Sequence, residues 1–142
     1  MSSRGCKKNP SMDPDLSKAL EMYVKVIHDL QLRSGSAAAS DVAEQLGVKA
    51  PSVTAALRKL KELEMVEYEP YQEVRLTGRG VEVAERLEWR NKTILDFLLM
   101  VGVDESVART DACEIEHIVH RETIERISEF LKKTQGKKRK NT

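Results

Sequence analysis

The chain has 142 residues, 33% of them charged and 4% aromatic, with 24 Lys and Arg against 23 Asp and Glu for a formal charge of +1. That length holds one domain with a real core or two small ones, and the composition points to helices with solvated faces. No apolar run approaches the length of a membrane span, and residues 1–15 lack the apolar core of a signal peptide, so a cytoplasmic protein with no membrane partner is expected.

Residues 1–15 are expected to be disordered, and Cys6 within them gains no structural benefit from pairing with Cys113. From Leu16, apolar residues recur at Ala19, Leu20, Tyr23, Val24, Ile27 and Leu30, which predicts a first helix ending near Ser34-Gly35-Ser36. Met22 falls among Lys18, Glu21, Lys25 and Asp29 on the wetter side of that helix, a soft apolar side chain out of place. A short helix over about Ala38 to Leu46 stops at Gly47, and Pro51 opens the next at a position where a missing N–H is harmless. Two helices joined around a glycine read as a helix-turn-helix.

In the second of these helices Val53, Ala56, Leu57 and Leu60 form the apolar stripe, which leaves Ser52, Ala55, Arg58 and Lys59 facing outward. Period-two alternation at Val66, Tyr68, Val74 and Leu76 around Pro70-Tyr71-Gln72 predicts a hairpin. Helix-turn-helix followed by hairpin is a winged helix, whose second helix enters the DNA major groove while the wing reaches toward phosphates. The DNA-facing candidates are Lys49, Pro51, Ser52, Thr54, Ala55, Arg58 and Lys59, with Lys61 extending the cationic cluster. Hydroxyls bond bases or phosphates, and the carbon surface of Pro51 and Ala55 suits thymine methyl groups. A cationic helix face is also what a merely solvated helix presents.

After Thr77-Gly78-Arg79-Gly80 a long helix is predicted over roughly Val81 to Val101, its stripe of Val81, Ala84, Leu87, Ile94, Leu95 and Leu98 interrupted by Asn91. Further helices are expected from about Glu105 to His120 and Glu122 to Lys132, and then a basic disordered tail over 132–142 with non-specific phosphate attraction as a secondary role. Within the first of these, Cys113, Glu116, His117 and His120 stand at offsets i, i+3, i+4 and i+7, one face of a helix, with Ile115, Ile118 and Val119 opposite. Thiol, carboxylate and imidazole together suit Fe(II), Co(II), Ni(II) or Zn(II) and argue against Mg or Ca. His120 either donates to a metal or caps carbonyls at the helix end.

The stretches L-E-M-Y-V-K-V-I at 20–27, S-D-V-A-E-Q-L-G-V at 40–48, P-S-V-T at 51–54, L-T-G-R-G at 76–80, V-G-V-D at 101–104 and C-E-I-E-H at 113–117 carry a resemblance. Over roughly Leu16 to Leu131 the chain resembles the diphtheria toxin repressor and manganese transport regulator family of metal-dependent repressors. The resemblance implies a mainly α fold: a winged-helix DNA-binding domain with a small two-stranded wing over 16–79, then a helical metal-binding and dimerisation domain over 80–131. It places Met22 where the family has its Met or Asp ligand, Cys113 where it has Cys or Glu, and Glu116 and His117 at its Glu-His pair. Met22 and Cys113 look like the iron branch, whereas the length looks like the manganese branch, without a third, SH3-like domain.

Three positions depart from the family pattern. Lys25 stands where the manganese branch has a second acid, Asn91 where many members have a histidine, and Arg109 where the iron branch has another ligand upstream of its Cys. A second metal site is therefore not expected, although Asn91 through its carbonyl oxygen and His120 through nitrogen are further candidates. Lys25 and Arg109 should weaken cation binding unless each turns toward a carboxylate.

The expectation is a homodimeric transcriptional regulator, a repressor of transition-metal uptake genes, that binds a palindromic operator in double-stranded DNA when loaded with iron or manganese. Fe(II) is the favoured cofactor, Mn(II) the second choice, and Co(II), Ni(II) or Zn(II) substitutes. The alternative is a winged-helix regulator that is metal-independent or answers to an organic ligand. An enzyme is not expected, because the nucleophile and acid/base types at 113–117 sit on one short helix with no oxyanion-hole motif.

Overall fold

The computed structural model describes residues 16–140, with side chains through 135, so the expectations for residues 1–15, Cys6 among them, and for 141–142 lie outside the described residues. Helix α1 (Lys18–Ser34) begins and ends where its sequence supplies caps: Ser17 Oγ accepts the Leu20 N–H at 3.2 Å, and Gly35 at φ +80° donates its N–H to the Gln31 carbonyl. Helix α2 (Ala39–Leu46) ends at Gly47 in the left-handed region, and α3 (Ala50–Glu62) follows with proline in its first turn. Strands β1 (Val66–Glu67) and β2 (Arg75–Leu76) pair antiparallel in the register Val66 to Leu76 and Glu67 to Arg75. An isolated bridge joins Ala37 to Val74, and Gln31 Oε1 on α1 accepts the Leu76 N–H at 3.0 Å.

These elements share one core. Val24, Ile27, Val53, Leu57, Leu60, Met65 and Val74 are all buried in it, with Val83, Ala84 and Leu87 from the start of α4 (Gly78–Met100). Each fully buried aliphatic contributes about 1.5–3 kcal/mol relative to exposure. The winged helix expected from the sequence is therefore present, and it orders around apolar positions that the periodicity identifies.

The described residues divide into two compact units between Leu87 and Glu88, eight residues past the expected boundary at 79/80, because α4 gives its first turns to the winged-helix core. The second unit continues α4 and adds α5 (Glu105–Ile115) and α6 (Arg121–Lys140) around Ile94, Ala112 and Ile124, with Leu95, Leu98, Ile115 and Val119 packed against them. Asp104 caps α5, accepting the Ser106 N–H at 3.2 Å. Ala108 and Ala112 are fully buried, so α5 packs through its smallest side chains.

Several expectations are corrected here. The helix predicted to reach His120 ends at Ile115; Glu116 to Val119 form a tight turn closed by N–H groups of Ile118 and Val119 on the Ile115 carbonyl. His120 lies just before α6, its carbonyl accepting the N–H groups of Thr123 and Ile124. Ile118, assigned to the apolar stripe, is 64% exposed because the turn rotates it away from the core. Nor does the helix expected to stop at Lys132 do so: α6 continues to Lys140 in place of a disordered tail. Lys, Arg, Gln and Thr are compatible with a helix, and cations near a helix C-terminus are favoured by its dipole. On α1, Glu21 is 1% exposed and not on a wet face, while Met22 and Lys25 are half-buried.

One glycine is fixed by a close approach. Thr77 donates its N–H to the Met65 carbonyl at 3.0 Å, and its Oγ1 accepts the Gly80 N–H at 3.1 Å, so the first turn of α4 lies against the end of the wing. A Cβ at Gly80 would collide with the Met65 carbonyl oxygen, which is backbone and cannot swing aside. Gly80→Ala should therefore destabilise the chain by about 1–3 kcal/mol despite alanine's better helix propensity. Urea denaturation of both proteins measures this, and an unchanged midpoint would count against the close packing.

Candidate metal centre and nucleic-acid interface

Residues 113–117 stay on one winding path although α5 ends among them. The Glu116 N–H reaches the Ala112 carbonyl at 3.0 Å and the His117 N–H the Glu114 carbonyl at 3.3 Å, and Glu116 keeps right-handed helical angles. The spacing therefore still sets Glu116 and His117 one turn beyond Cys113. Both side chains are fully buried, and His117 Nε2 lies 3.2 Å from Glu116 Oε1. An imidazole nitrogen and a carboxylate oxygen converging at that distance inside the fold are two donors suited to a transition metal.

Cys113 is a free, exposed thiol, and Asn91 of α4 donates its Nδ2 to Cys113 Sγ at 3.7 Å. Among the described residues no group of three His, Cys, Asp or Glu side chains converges as a ready-made cluster. The donor chemistry of Glu116 and His117 thus fits a transition metal, while the sulfur of Cys113 accepts from Asn91. Asn91, a candidate ligand from the sequence, here acts as a donor toward the candidate sulfur. His120 is exposed at the start of α6 and does not complete a cluster. Arg109 is turned toward a carboxylate, with Nη2 2.9 Å and Nε 3.1 Å from Glu105 Oε1, which partly offsets its charge.

Two buried charges are not anticipated from the sequence, where Glu21 falls on the wet face of the first helix and Arg90 is given no role. Glu21, beside Met22, and Arg90, beside Asn91, are buried charged side chains. Charged residues are almost never fully buried unless partnered, so neither would be placed inside from residue type alone. Arg90 holds the backbone of the donor turn, its Nε donating to the Glu116 carbonyl at 2.8 Å and an Nη to the Val119 carbonyl.

In the winged-helix unit, burial of Val53, Leu57 and Leu60 turns Pro51, Ser52, Ala55, Arg58 and Lys59 to solvent, with Lys49 exposed at the N-cap and Thr54 half-buried. Thr54 Oγ1 donates to the Ala50 carbonyl at 3.1 Å and keeps its lone pairs for a further partner. Among the described residues Lys49 and Arg58 enter no ion pair, whereas Lys59 lies 3.8 Å from Glu62. Lys61, in the last turn of α3, is tied to the wing, donating to Glu69 Oε1 at 2.9 Å and to the Tyr68 carbonyl at 3.1 Å.

A groove runs between α3 and the wing, lined by Thr54 and Arg58 on one side and Tyr68, Pro70, Tyr71, Gln72 and Glu73 on the other. Tyr71 is fully exposed at the wing tip with φ +65°, an uncommon angle for an aromatic residue. The exposed wing residues Glu67, Glu69 and Glu73 outnumber Arg75, so the wing is acidic where the sequence reading expected an approach to phosphates. Among the described residues no helix is long and apolar enough to cross a membrane.

Residues 15–74 match the family described as "Iron dependent repressor, N-terminal DNA binding domain" and residues 77–141 its "metal binding and dimerisation domain". The transcriptional regulator MntR of Escherichia coli O6:H1 is 35% identical over 118 residues, 83% of this chain and 76% of that protein. The structure of T. acidophilum IdeR is 30% identical with a TM-score of 0.68, covering 78% of this chain and 53% of that one. A manganese-dependent transcriptional repressor in complex with manganese is 27% identical with a TM-score of 0.72, covering 79% of this chain and 52% of that one. The chain therefore spans about half the length of these two solved relatives. With both family domains matched in order across the winged helix and the segment bearing Glu116 and His117, the chain belongs to the iron-dependent repressor family of metal-dependent, DNA-binding transcriptional regulators, which are not enzymes.

Proposed function

We propose that the chain is a homodimeric repressor of transition-metal uptake genes whose operator binding is switched on by a divalent cation held by Met22, Cys113, Glu116 and His117. The buried convergence of the Glu116 carboxylate and the His117 imidazole carries this reading. Met22 and Cys113 enter through the motifs at 20–27 and 113–117. A cation held by this set would take sulfur from Met22 and Cys113, oxygen from Glu116 and nitrogen from His117. Metal and operator affinity are then linked reciprocally, because whatever favours the DNA-competent arrangement favours metal to the same extent. A DNA-binding role is what supports a cytoplasmic location.

On the DNA side, the proposed contacts are Lys49, Pro51, Ser52, Thr54, Ala55, Arg58 and Lys59. Lys49 and Arg58 supply the phosphate attraction, and Ser52, Thr54, Pro51 and Ala55 the modest base discrimination. A homodimer presents two such faces related by a two-fold axis, which calls for a palindromic operator with half-sites spaced by whole helical turns.

Sulfur at positions 22 and 113 favours later first-row metals, so Fe(II) is the proposed effector ahead of Mn(II). Cys113→Ala and His117→Ala should each abolish metal-stimulated operator binding while leaving the dimer intact by sedimentation; full metal response in both would remove the ligand set. In an anaerobic operator-binding titration the native protein should respond to Co(II) at lower concentration than to Mn(II), and Met22→Asp with Cys113→Glu should shift the ranking toward Mn(II). An unchanged ranking would mean that sulfur does not set selectivity. The acidic wing yields a separate expectation: Glu69→Gln with Glu73→Gln releases Lys61 and removes repulsion from phosphates, so operator affinity should rise severalfold with a steeper salt dependence. Fluorescence anisotropy at several salt concentrations reads both, and a loss of affinity would show that the carboxylates contact the DNA favourably.

A further inference from the structure

Arg90 is the largest of the deeply buried side chains among the described residues, 2% exposed. Its guanidinium reaches two backbone carbonyls, those of Glu116 and Val119. Both lie beyond Ile115, the last residue of α5. The last carbonyls of α5 have other partners: Ala112 accepts from Glu116, Glu114 from His117, and Ile115 from Ile118 and Val119. Capping the helix therefore does not require Arg90. What the guanidinium holds is the turn itself, the four residues that include Glu116 and His117.

A buried cation is tolerated only where its donors are matched, and the rigid fork of a guanidinium fixes two acceptors at once, as a lysine ammonium on a flexible stem cannot. The neighbouring Asn91 donates to Cys113 Sγ at 3.7 Å, so two consecutive residues of α4 touch the donor-bearing segment at both of its ends. We propose that Arg90 is a positioning residue for the metal centre: its two carbonyl bonds fix the path of residues 116–119 and thereby aim the Glu116 carboxylate and the His117 imidazole at one point before the cation arrives. The inference rests on the ligand set of the preceding section and adds to it the group that preorganises it. Residues of this kind, one step removed from the metal, set affinity through the orientation of the ligands.

The test uses the full chain and Co(II) as probe, with Arg90→Lys, which keeps the charge but loses the fork, and Arg90→Gln, which loses both. Circular dichroism identifies the temperature range in which each variant is fully helical, and all measurements are made there. Amide exchange in the metal-free protein should quicken at Ile118 and Val119, whose N–H groups close the turn on the Ile115 carbonyl, in both variants. Co(II) affinity should fall about 10–100-fold with altered ligand-field bands. If Arg90→Gln does not fold, Arg90→Lys alone decides. A role limited to fold stability would lower the melting temperature while leaving Co(II) affinity and spectrum native in the folded variants, and that result overturns the inference. Failure of the ligand set looks different: the native chain itself would show no ligand-field bands with Co(II).

Discussion

Burial of Val53, Leu57 and Leu60 decides what α3 can offer to a partner. At 3.6 residues per turn, a rotation of α3 by one residue would expose all three, at a cost of several kcal/mol, and would carry Arg58 into the core. Outward presentation of Lys49, Ser52, Ala55 and Arg58 is thus a geometric consequence of an apolar contact on the other side of the helix. The same core fixes the wing, since Met65, Val66, Val74 and Leu76 are buried in it while the residues between them are largely exposed. Helix face and hairpin tip form one surface because one set of aliphatic side chains holds both.

The donor segment follows a different logic. Ala108 and Ala112 pack α5 through their methyl groups, and the chain then leaves the helix within one turn, carrying Glu116 and His117 into the interior instead of leaving them on an amphipathic surface. Interior placement removes competing water and limits rotamers, so a carboxylate and an imidazole held there lose little entropy on ligation. Cys113 lies on the exposed side of α5, with its sulfur accepting from Asn91. On the proposed ligand set, a buried oxygen and nitrogen pair combined with sulfur donors is suited to discriminating among cations by ligand chemistry.

Helix periodicity made α1, α3 and the first half of α4 legible, because a single apolar face repeats there without interruption, and Gly35 and Gly47 marked the stops of α1 and α2. Where the reading failed, tertiary contacts had overridden local pattern. Ile118 fits the 3.6-residue stripe of α5 in sequence, yet the turn held by Arg90 ends the helix before that residue could use its position. Glu21 and Arg90 carry charge, and no single-sequence signal marks a charged residue whose partners are supplied by the fold. The length of α6 was missed for a simpler reason. Lys132 to Lys140 reads as a charge run, and helix propensity in such a run is masked by its lack of apolar spacing.

Charge placement at the proposed metal centre sets how many cations it can hold. A thiolate at Cys113 and the Glu116 carboxylate together neutralise one dication, leaving little net field to attract another. The resemblance leads one to expect further ligands at positions 25, 91 and 109, and this chain has Lys25, Asn91 and Arg109 there. Arg109 is paired with Glu105, and Asn91 directs its amide N–H at the Cys113 sulfur. Repulsion between two dications close together would need anionic ligands between them to offset it, and Lys25, Asn91 and Arg109 supply no anionic group. On the proposed ligand set, one strongly held cation per protomer is the occupancy that these charges support.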